Sequence, residues 1–389
     1  MQKNLVRGFL NRDSAKDGMR SYHRLVSLFG VEVGLHISWY AVFALLSYAL
    51  ATGLFPQILP GKSNLAYAVM GIISSLLLFL SVLLHELAHC LAAQNFRLNI
   101  KRIILFFFGG ISQIDEDGLT PQAEIWMALA GPVFSLALGA VCWIWSSNLE
   151  LTAVSAVVRY VARLNVTLGF FNLIPGFPLD GGRVFRGLLW LHTGRLDVST
   201  WYATRSGKLF GLLMVILGLL SLGFGDAGGG WLILIGGFLF LIAESSFEQM
   251  ILKQSLSGKT VAEVVDRDPI AISPSASMDR LVKDYFTRLP QEHLPVFEGK
   301  KFVGVVNLGR VVRIHPQART RMYVKDVMVS AGAIPSVSLG DSLYAALERM
   351  NRSRVDILPV FKGKKVEGIV TREAVFHFLR VRALRVKRE

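Results

Sequence analysis

Cysteine is nearly absent. Cys90 and Cys142 are the only two in 389 residues, and both lie in apolar runs, so no disulfide framework is expected. Charge is scarce too: Asp, Glu, Lys and Arg make up 18% of the chain, against about a quarter in an ordinary soluble domain. The segment 1–19 is charged throughout and holds no apolar core, which argues against a cleavable secretory leader. Acidic residues are the rarer sign, 28 against 42 basic, for a net charge of +14. No nucleic-acid-binding motif accompanies that excess, so nucleic acid is not an expected partner. Basic loops on the cytoplasmic side of a bilayer account for it more simply. In place of charge stand 52% hydrophobic residues and a mean hydropathy of +0.46. A lipid bilayer is the expected surrounding.

Hydropathy marks six spans, at residues 36–55, 65–90, 125–145, 153–174, 208–224 and 230–243. The last two are short and Gly-rich, which suits close helix packing. Basic residues alternate between connections. The cytoplasmic amino-terminal segment, 1–30, carries Lys3, Arg7, Arg12, Lys16, Arg20 and Arg24. Arg97, Lys101 and Arg102 follow the second span, and Arg183, Arg186, Arg195 and Arg205 the fourth, whereas the other loops hold Lys62, Glu150 and Asp226. This pattern predicts a multi-pass protein of the inner, cytoplasmic membrane with both termini inside. Arg159 and Arg163 interrupt the fourth span. A later helix start or outward snorkelling explains them better than a substrate or lipid contact.

Inside the second span stands His85-Glu86-Leu87-Ala88-His89. Residues four apart share a helix face, so both imidazoles can ligate one metal ion, with Glu86 beside them to take a proton from water. Ionisable groups are costly in hydrocarbon and mark function. A catalytic zinc site needs a third protein ligand. The candidate is Asp180, in the Pro- and Gly-rich turn from Asn172 to Gly182 that closes the fourth span, at the same membrane face as His89. The alternative is that Asp180 caps a helix over 181–192. His36 and His192 read as interfacial histidines, and His293, His315 and His377 lack paired spacing. Ser81, Ser112 and Ser135 have no visible nucleophile partners. Between the second and third spans, 103–108 reads as a buried strand and Gly109-Gly110 as a break. Such backbone at membrane depth must pack on protein, and it offers an edge to an extended peptide.

After Phe247 the composition becomes charged and alternating. A linker over 248–258 leads to a soluble α/β repeat with a period of 64 residues. Leu294-Pro295-Val296-Phe297 recurs as Leu358-Pro359-Val360-Phe361, and Gly304-Val305-Val306 as Gly368-Ile369-Val370. The two units, 259–316 and 323–380, each carry an amphipathic helix (278–288; 342–351) and a two-stranded hairpin, and 381–389 is a basic tail.

The His85–His89 motif in a span, Ala130-Gly131-Pro132 in the next, and Asn172, Pro175 and Pro178-Leu179-Asp180-Gly181 closing a later one together resemble the site-2 protease family of intramembrane zinc metalloproteases, over residues 31–247. The carboxy-terminal repeat resembles a tandem pair of cystathionine-β-synthase-type (CBS) modules. The expected fold is thus a polytopic α-helical membrane protein of about six transmembrane helices with a membrane-associated β segment, joined to a soluble tandem CBS module. The resemblance implies one Zn2+ held by His85, His89 and Asp180, with Glu86 as general base. It implies that Asn172 holds the scissile backbone or the oxyanion, and that Gly109 and Gly110 belong to a strand segment used against substrate. The implied substrate is a single-span membrane-anchored regulator such as an anti-sigma factor. No PDZ-like insertion is visible, so the CBS pair is the natural regulator, and it offers a route to a homodimer.

The CBS pair departs from its family in one respect. Members that bind adenosyl nucleotides end the second hairpin strand with Gly-x-x-Thr/Ser-x-x-Asp, and here the Asp position holds Arg310 in one copy and Ala374 in the other. Thr371 survives in the second copy alone, and Arg310 suits phosphate. An adenine nucleotide is therefore an open expectation, with Thr371 and Arg310 as its candidate contacts. Two other functions compete with proteolysis: a CBS-regulated metal-ion transporter and an inactive substrate-binding scaffold. Transport lines a path with polar groups at mid-membrane, whereas here they gather at one end beside a base.

Overall fold

The computed structural model describes residues 22–386 apart from 99, 107, 108, 115–117, 227, 290, 320, 354 and 364. The basic residues from Lys3 to Arg20 lie outside the described residues. The chain divides into two compact units near residue 250.

In the first unit, long runs of Leu, Ile, Ala and Phe leave the backbone no hydrogen-bonding partner in lipid except itself, so they coil into helices. Six are long and apolar enough to cross a bilayer: Ile37–Ile58, Asn64–Asn95, Pro121–Ser147, Ala153–Asn172, Leu196–Gly223 and Gly228–Leu256. The first consists of α1 (Ile37–Ala49), a wider turn over Leu50–Leu54 and a last turn over Phe55–Ile58. The others, with one short helix between, are α2 (Asn64–Asn95), α3 (Pro121–Ser147), α4 (Ala153–Asn172), α5 (Asp180–Thr193), α6 (Leu196–Gly223) and α7 (Gly228–Leu256). The six expected spans are all present, but α6 and α7 are longer than hydropathy marked. A hydropathy window sees only the apolar middle of a helix, whereas polar turns at its ends keep the same hydrogen-bond ladder. Most of the expected linker 248–258 is therefore the last part of α7. Glycines bring α6 and α7 together: a Cβ on Gly211 would lie 2.7 Å from the Gly236 carbonyl oxygen, and one on Gly218 2.6 Å from that of Gly229.

Arg159 resolves as a snorkelling residue. Helix α4 starts at Ala153 behind a Thr152–Ser155 capping box. The Arg159 guanidinium reaches back to donate to the carbonyls of Ser146 (3.1 Å) and Leu149 (2.9 Å). It thus sets a cation beside carbonyls at and just beyond the end of α3, where positive charge is favoured.

Four strands form one sheet in the order β1 (Tyr22–Leu28), β2 (Val31–His36), β3 (Ile100–Phe106), β4 (Gly109–Ile114). The stretch expected as a plain cytoplasmic segment to residue 30 thus contains a strand, and His36 caps α1 rather than starting it. The strand expected at 103–108 is β3 up to Phe106, and 107 and 108 lie outside the described residues. Ile103 pairs with Val33 on one side and Ser112 on the other, so β3 is interior and fully buried there. This corrects the expectation that β3 offers an edge; among the described strands the edge on that side is β4. Hairpin partners and a parallel crossover are tertiary facts that a short apolar run cannot carry.

The second unit contains two three-stranded sheets, β5 (His293–Glu298), β6 (Lys301–Asn307), β7 (Val329–Ser330), and β10 (Lys365–Thr371), β9 (Ile357–Lys362), β8 (Val337–Ser338). The repeats interlace: β7, from the second copy, pairs with β6 of the first, and Asp266 of the first bridges Ile369 of the second. Helix α8 (Leu343–Ser353) buries Leu343, Ala346, Leu347 and Met350 as its pattern predicted, whereas the first copy shortens to Met278–Arg280 and a wider turn over Leu281–Phe286. A final helix, α9, runs over Arg372–Val386, so the expected basic tail is helical up to its last three residues, which lie outside the described set.

Asp356 joins the two copies, 3.0 Å from His293 Nε2 and paired with Arg372. Burial raises its carboxyl pKa, but the His293 hydrogen bond and the Arg372 charge outweigh this and hold it down to about 2. A carboxyl depressed in the folded state stabilises the fold above its unfolded pKa of about 4, and that contribution fades as pH falls toward the folded value. Asp356→Asn is expected to lower the thermal midpoint of this unit by about 5 °C at neutral pH. The difference from wild type should shrink as the pH is lowered from about 4 to about 2. Scanning calorimetry of the full chain at several pH values measures both; a pH-independent difference would contradict the assignment.

Candidate metal centre

Helix α2 carries His85 and His89 on one face, both buried, and Asp180 opens α5 across from them. The Asp180 Oδ2 lies 3.2 Å from His85 Nε2 and 3.1 Å from His89 Nε2, and the two Nε2 atoms are 3.2 Å apart. The cap alternative for Asp180 is overturned. The N-cap of α5 is Leu179, no side chain caps that end, and Asp180 is spent on the histidines. Burial raises its carboxyl pKa, but the charge and hydrogen bonds of His89 and His85 dominate and hold it below the usual carboxylate range.

This donor set fits zinc: two imidazole nitrogens and one carboxylate oxygen, one atom each, leaving a fourth position for water or substrate. The far side of each ring is also secured. His89 Nδ1 donates to the Met127 carbonyl (2.7 Å), and His85 Nδ1 lies 2.9 Å from Ser135 Oγ. Such bonds fix the tautomer that leaves Nε2 free to ligate. Met127, Gly131 and Ser135 are spaced at i, i+4 and i+8, so one stripe of α3 forms the back wall of the site. Gly131 is the close-approach residue, since a Cβ there would lie 2.3 Å from His89 Nε2 and 2.7 Å from His85 Nε2. Ser135, which has no nucleophile partners in the sequence, acts here as a ring support, and the four-residue spacing around Ala130-Gly131-Pro132 is the sequence signal for it.

The loop before Asp180 is clamped by α6. Phe177 N donates to the Ala203 carbonyl (3.1 Å), and Ser206 Oγ donates to the Pro175 carbonyl. Gly207 admits the loop, because a Cβ there would collide with the Phe177 carbonyl. Asn172 is the last residue of α4 and half-buried, and its side chain makes no hydrogen bond among the described residues.

Glu86 is half-buried beside the ligands, and β4 lies directly on it: a Cβ on Gly110 would fall 2.5 Å from Glu86 Cγ. Gly109, at φ +128°, adopts backbone that other residues rarely reach. Gly110→Val is expected to displace the Glu86 side chain and cut turnover by about 100-fold, the lower range for a lost acid–base group. Zinc content should stay at the wild-type value, and metal analysis alongside a peptide-cleavage assay separates the two.

The CBS unit has its own open cleft, whose lining includes Asp266, Asp356, Glu373, His293, Gln291 and Thr371. Thr371 is part of its lining, whereas Arg310 is exposed and is not. Asp356 there is paired with Arg372, so Asp266 and Glu373 are the lining carboxylates that oppose the phosphates of a nucleotide.

Peptidase family M50 matches residues 73–150 and 144–217, and the CBS domain matches 261–316 and 324–381. A Mycobacterium tuberculosis protein named "Putative zinc metalloprotease Rip3" is 31% identical over 363 residues, 91% of each chain. A zinc metalloprotease of Methanocaldococcus jannaschii is 27% identical, over 93% of this chain and 97% of its own. Among solved structures, the site-2 protease from the same archaeon aligns with 58% of this chain and 94% of its own, at 31% identity and a TM-score of 0.42.

Proposed function

Since the chain belongs to peptidase family M50, the site-2 proteases, and ends in a CBS pair, we propose that it hydrolyses a peptide bond within or near the transmembrane segment of a single-span regulatory protein of the anti-sigma-factor kind. The convergence of His85, His89 and Asp180 beside Glu86, under an edge strand, carries the proposal. Zinc held by those three ligands would supply a Lewis acid that makes water a nucleophile at neutral pH. Glu86 accepts the proton from the attacking water and passes it to the leaving amine as the C–N bond breaks. Asn172, at the mouth of the clamped loop, is assigned to hold the carbonyl oxygen as it becomes negative.

A transmembrane helix hides its amides in its own hydrogen bonds, so a substrate must unwind before it is cut, and Gly or Pro in it lowers that cost. The outer edge of β4, from Gly109 and Gly110 onward, is assigned to pair with the unwound segment as an added strand. The basic loops support an inner-membrane protein with this site and both termini on the cytoplasmic side. The CBS pair is assigned to gate the protease, as a homodimer through that pair.

The test is reconstitution of the full chain in lipid vesicles with tagged single-span substrates, with zinc removed by a chelator and then restored. Cleavage that vanishes and returns with zinc is the expected result. Zinc crossing the vesicle membrane while all substrates stay intact would favour transport instead. Substrate retention without cutting in the zinc-loaded chain would favour a scaffold.

A further inference from the structure

A buried ion pair stands behind the metal centre. Glu124, in the first turn of α3, has no exposed surface, and Arg186, on α5, is 7% exposed. Glu124 Oε1 accepts from Arg186 Nε at 2.7 Å and also from its Nη2, and Arg183 Nε lies 3.9 Å away. The second oxygen, Oε2, is buried without a hydrogen-bond partner. Taking two charges out of water is costly, and an apolar pair of similar volume often stabilises as well or better. A half-satisfied pair is therefore poorly explained by stability alone.

Its location supplies an explanation. Glu124 precedes by three residues Met127, whose carbonyl holds the His89 ring. Arg186 lies six residues beyond Asp180 on the same short helix, and its guanidinium also stacks on the Phe177 ring, 4.9 Å to the centroid, in the loop that leads to Asp180. Next to it, Gly187 lets α5 lie flush on α3: a Cβ there would fall 2.6 Å from Ile125 Cγ1 and 3.2 Å from the Pro121 carbonyl oxygen. The planar guanidinium fork fixes direction as well as distance. We propose that the Glu124–Arg186 pair is a positioning device that fixes the α5 carboxylate against the α2 histidines, so that metal retention depends on it. The proposal rests on the zinc-protease reading only for the identity of the metal.

The experiment follows zinc loss from the full chain into excess EDTA, with the thermal midpoint of the metal-free chain measured in parallel. Removing one partner alone strands a buried charge and threatens folding. The informative variants are therefore the apolar double substitution Glu124→Leu/Arg186→Met and the conservative Arg186→Lys, which keeps the charge but loses the fork. Both are expected to lose zinc about 10-fold faster or more, the double variant with a metal-free midpoint at or above wild type. Cobalt substituted for zinc should show altered visible bands, since the carboxylate is no longer fixed. If the double variant does not fold, Arg186→Lys decides alone. Wild-type release rates and cobalt spectra in the variants that fold would overturn the proposal. A wild-type chain that binds no zinc at all would instead overturn the zinc-protease reading.

Discussion

Gly131→Ala is expected to empty the metal centre and abolish hydrolysis in a chain that still folds. A methyl group there would lie 2.3 Å from His89 Nε2, 2.6 Å from His89 Cε1 and 2.7 Å from His85 Nε2, against the two nitrogens that would hold zinc. Both rings are tied at their far sides, to the Met127 carbonyl and beside Ser135, so they cannot swing away without losing those bonds. Alanine favours helix over glycine by about 1 kcal/mol, so α3 itself should not suffer. Zinc affinity should fall by more than the roughly 10–100-fold that loss of a ligand's support costs, because the methyl group meets both ligand nitrogens. Gly139→Ala is the control, because a Cβ there would meet Val166 Cγ2 at 2.8 Å on α4, remote from any ligand. It should strain the packing and keep the metal. Zinc per chain, measured by atomic emission beside circular dichroism, decides. A full complement of zinc in Gly131→Ala would mean that the metal does not sit between the histidines and α3.

Glu86→Gln is expected to do the reverse: zinc stays and turnover falls by about 10²–10⁴, the usual contribution of a general acid–base group. The amide is nearly isosteric, so Gly110 still packs over it, but it cannot accept the proton of the attacking water. Glu86 lies one residue from His85 and is not among the three ligand atoms. Single-turnover cleavage of a tagged membrane substrate with zinc measured on the same sample tests both halves. Wild-type turnover in this variant would remove Glu86 from the mechanism; zinc loss would make it a ligand.

The two outcomes divide along what a sequence can carry. Two histidines four apart in an apolar run require a shared helix face, and alternating basic loops bring Asp180 to the same membrane side, so the candidate ligand set was legible. The edge strand was legible only in part. A run of apolar residues marks β3 as buried, but whether it is an edge depends on β2 and β4 pairing on both sides of it. The interlaced CBS sheets show the same limit: the period of 64 residues revealed two copies, but not that β7 of the second copy completes the sheet of the first.

The sequence by itself determined the six spans, the two candidate His ligands with Glu86 beside them, the Asp-bearing loop and the duplicated carboxy-terminal module. Each is written in local spacing or composition, where the period of a helix or the cost of charge in lipid leaves one solution. The tertiary structure alone decided what holds those groups in place. Ser135 lies 50 residues from the ring it supports, the Met127 carbonyl 38 from its ring, and Arg186 62 from Glu124. Contacts at such separations form because helices pack side by side in a bilayer, and no local rule states which faces will meet.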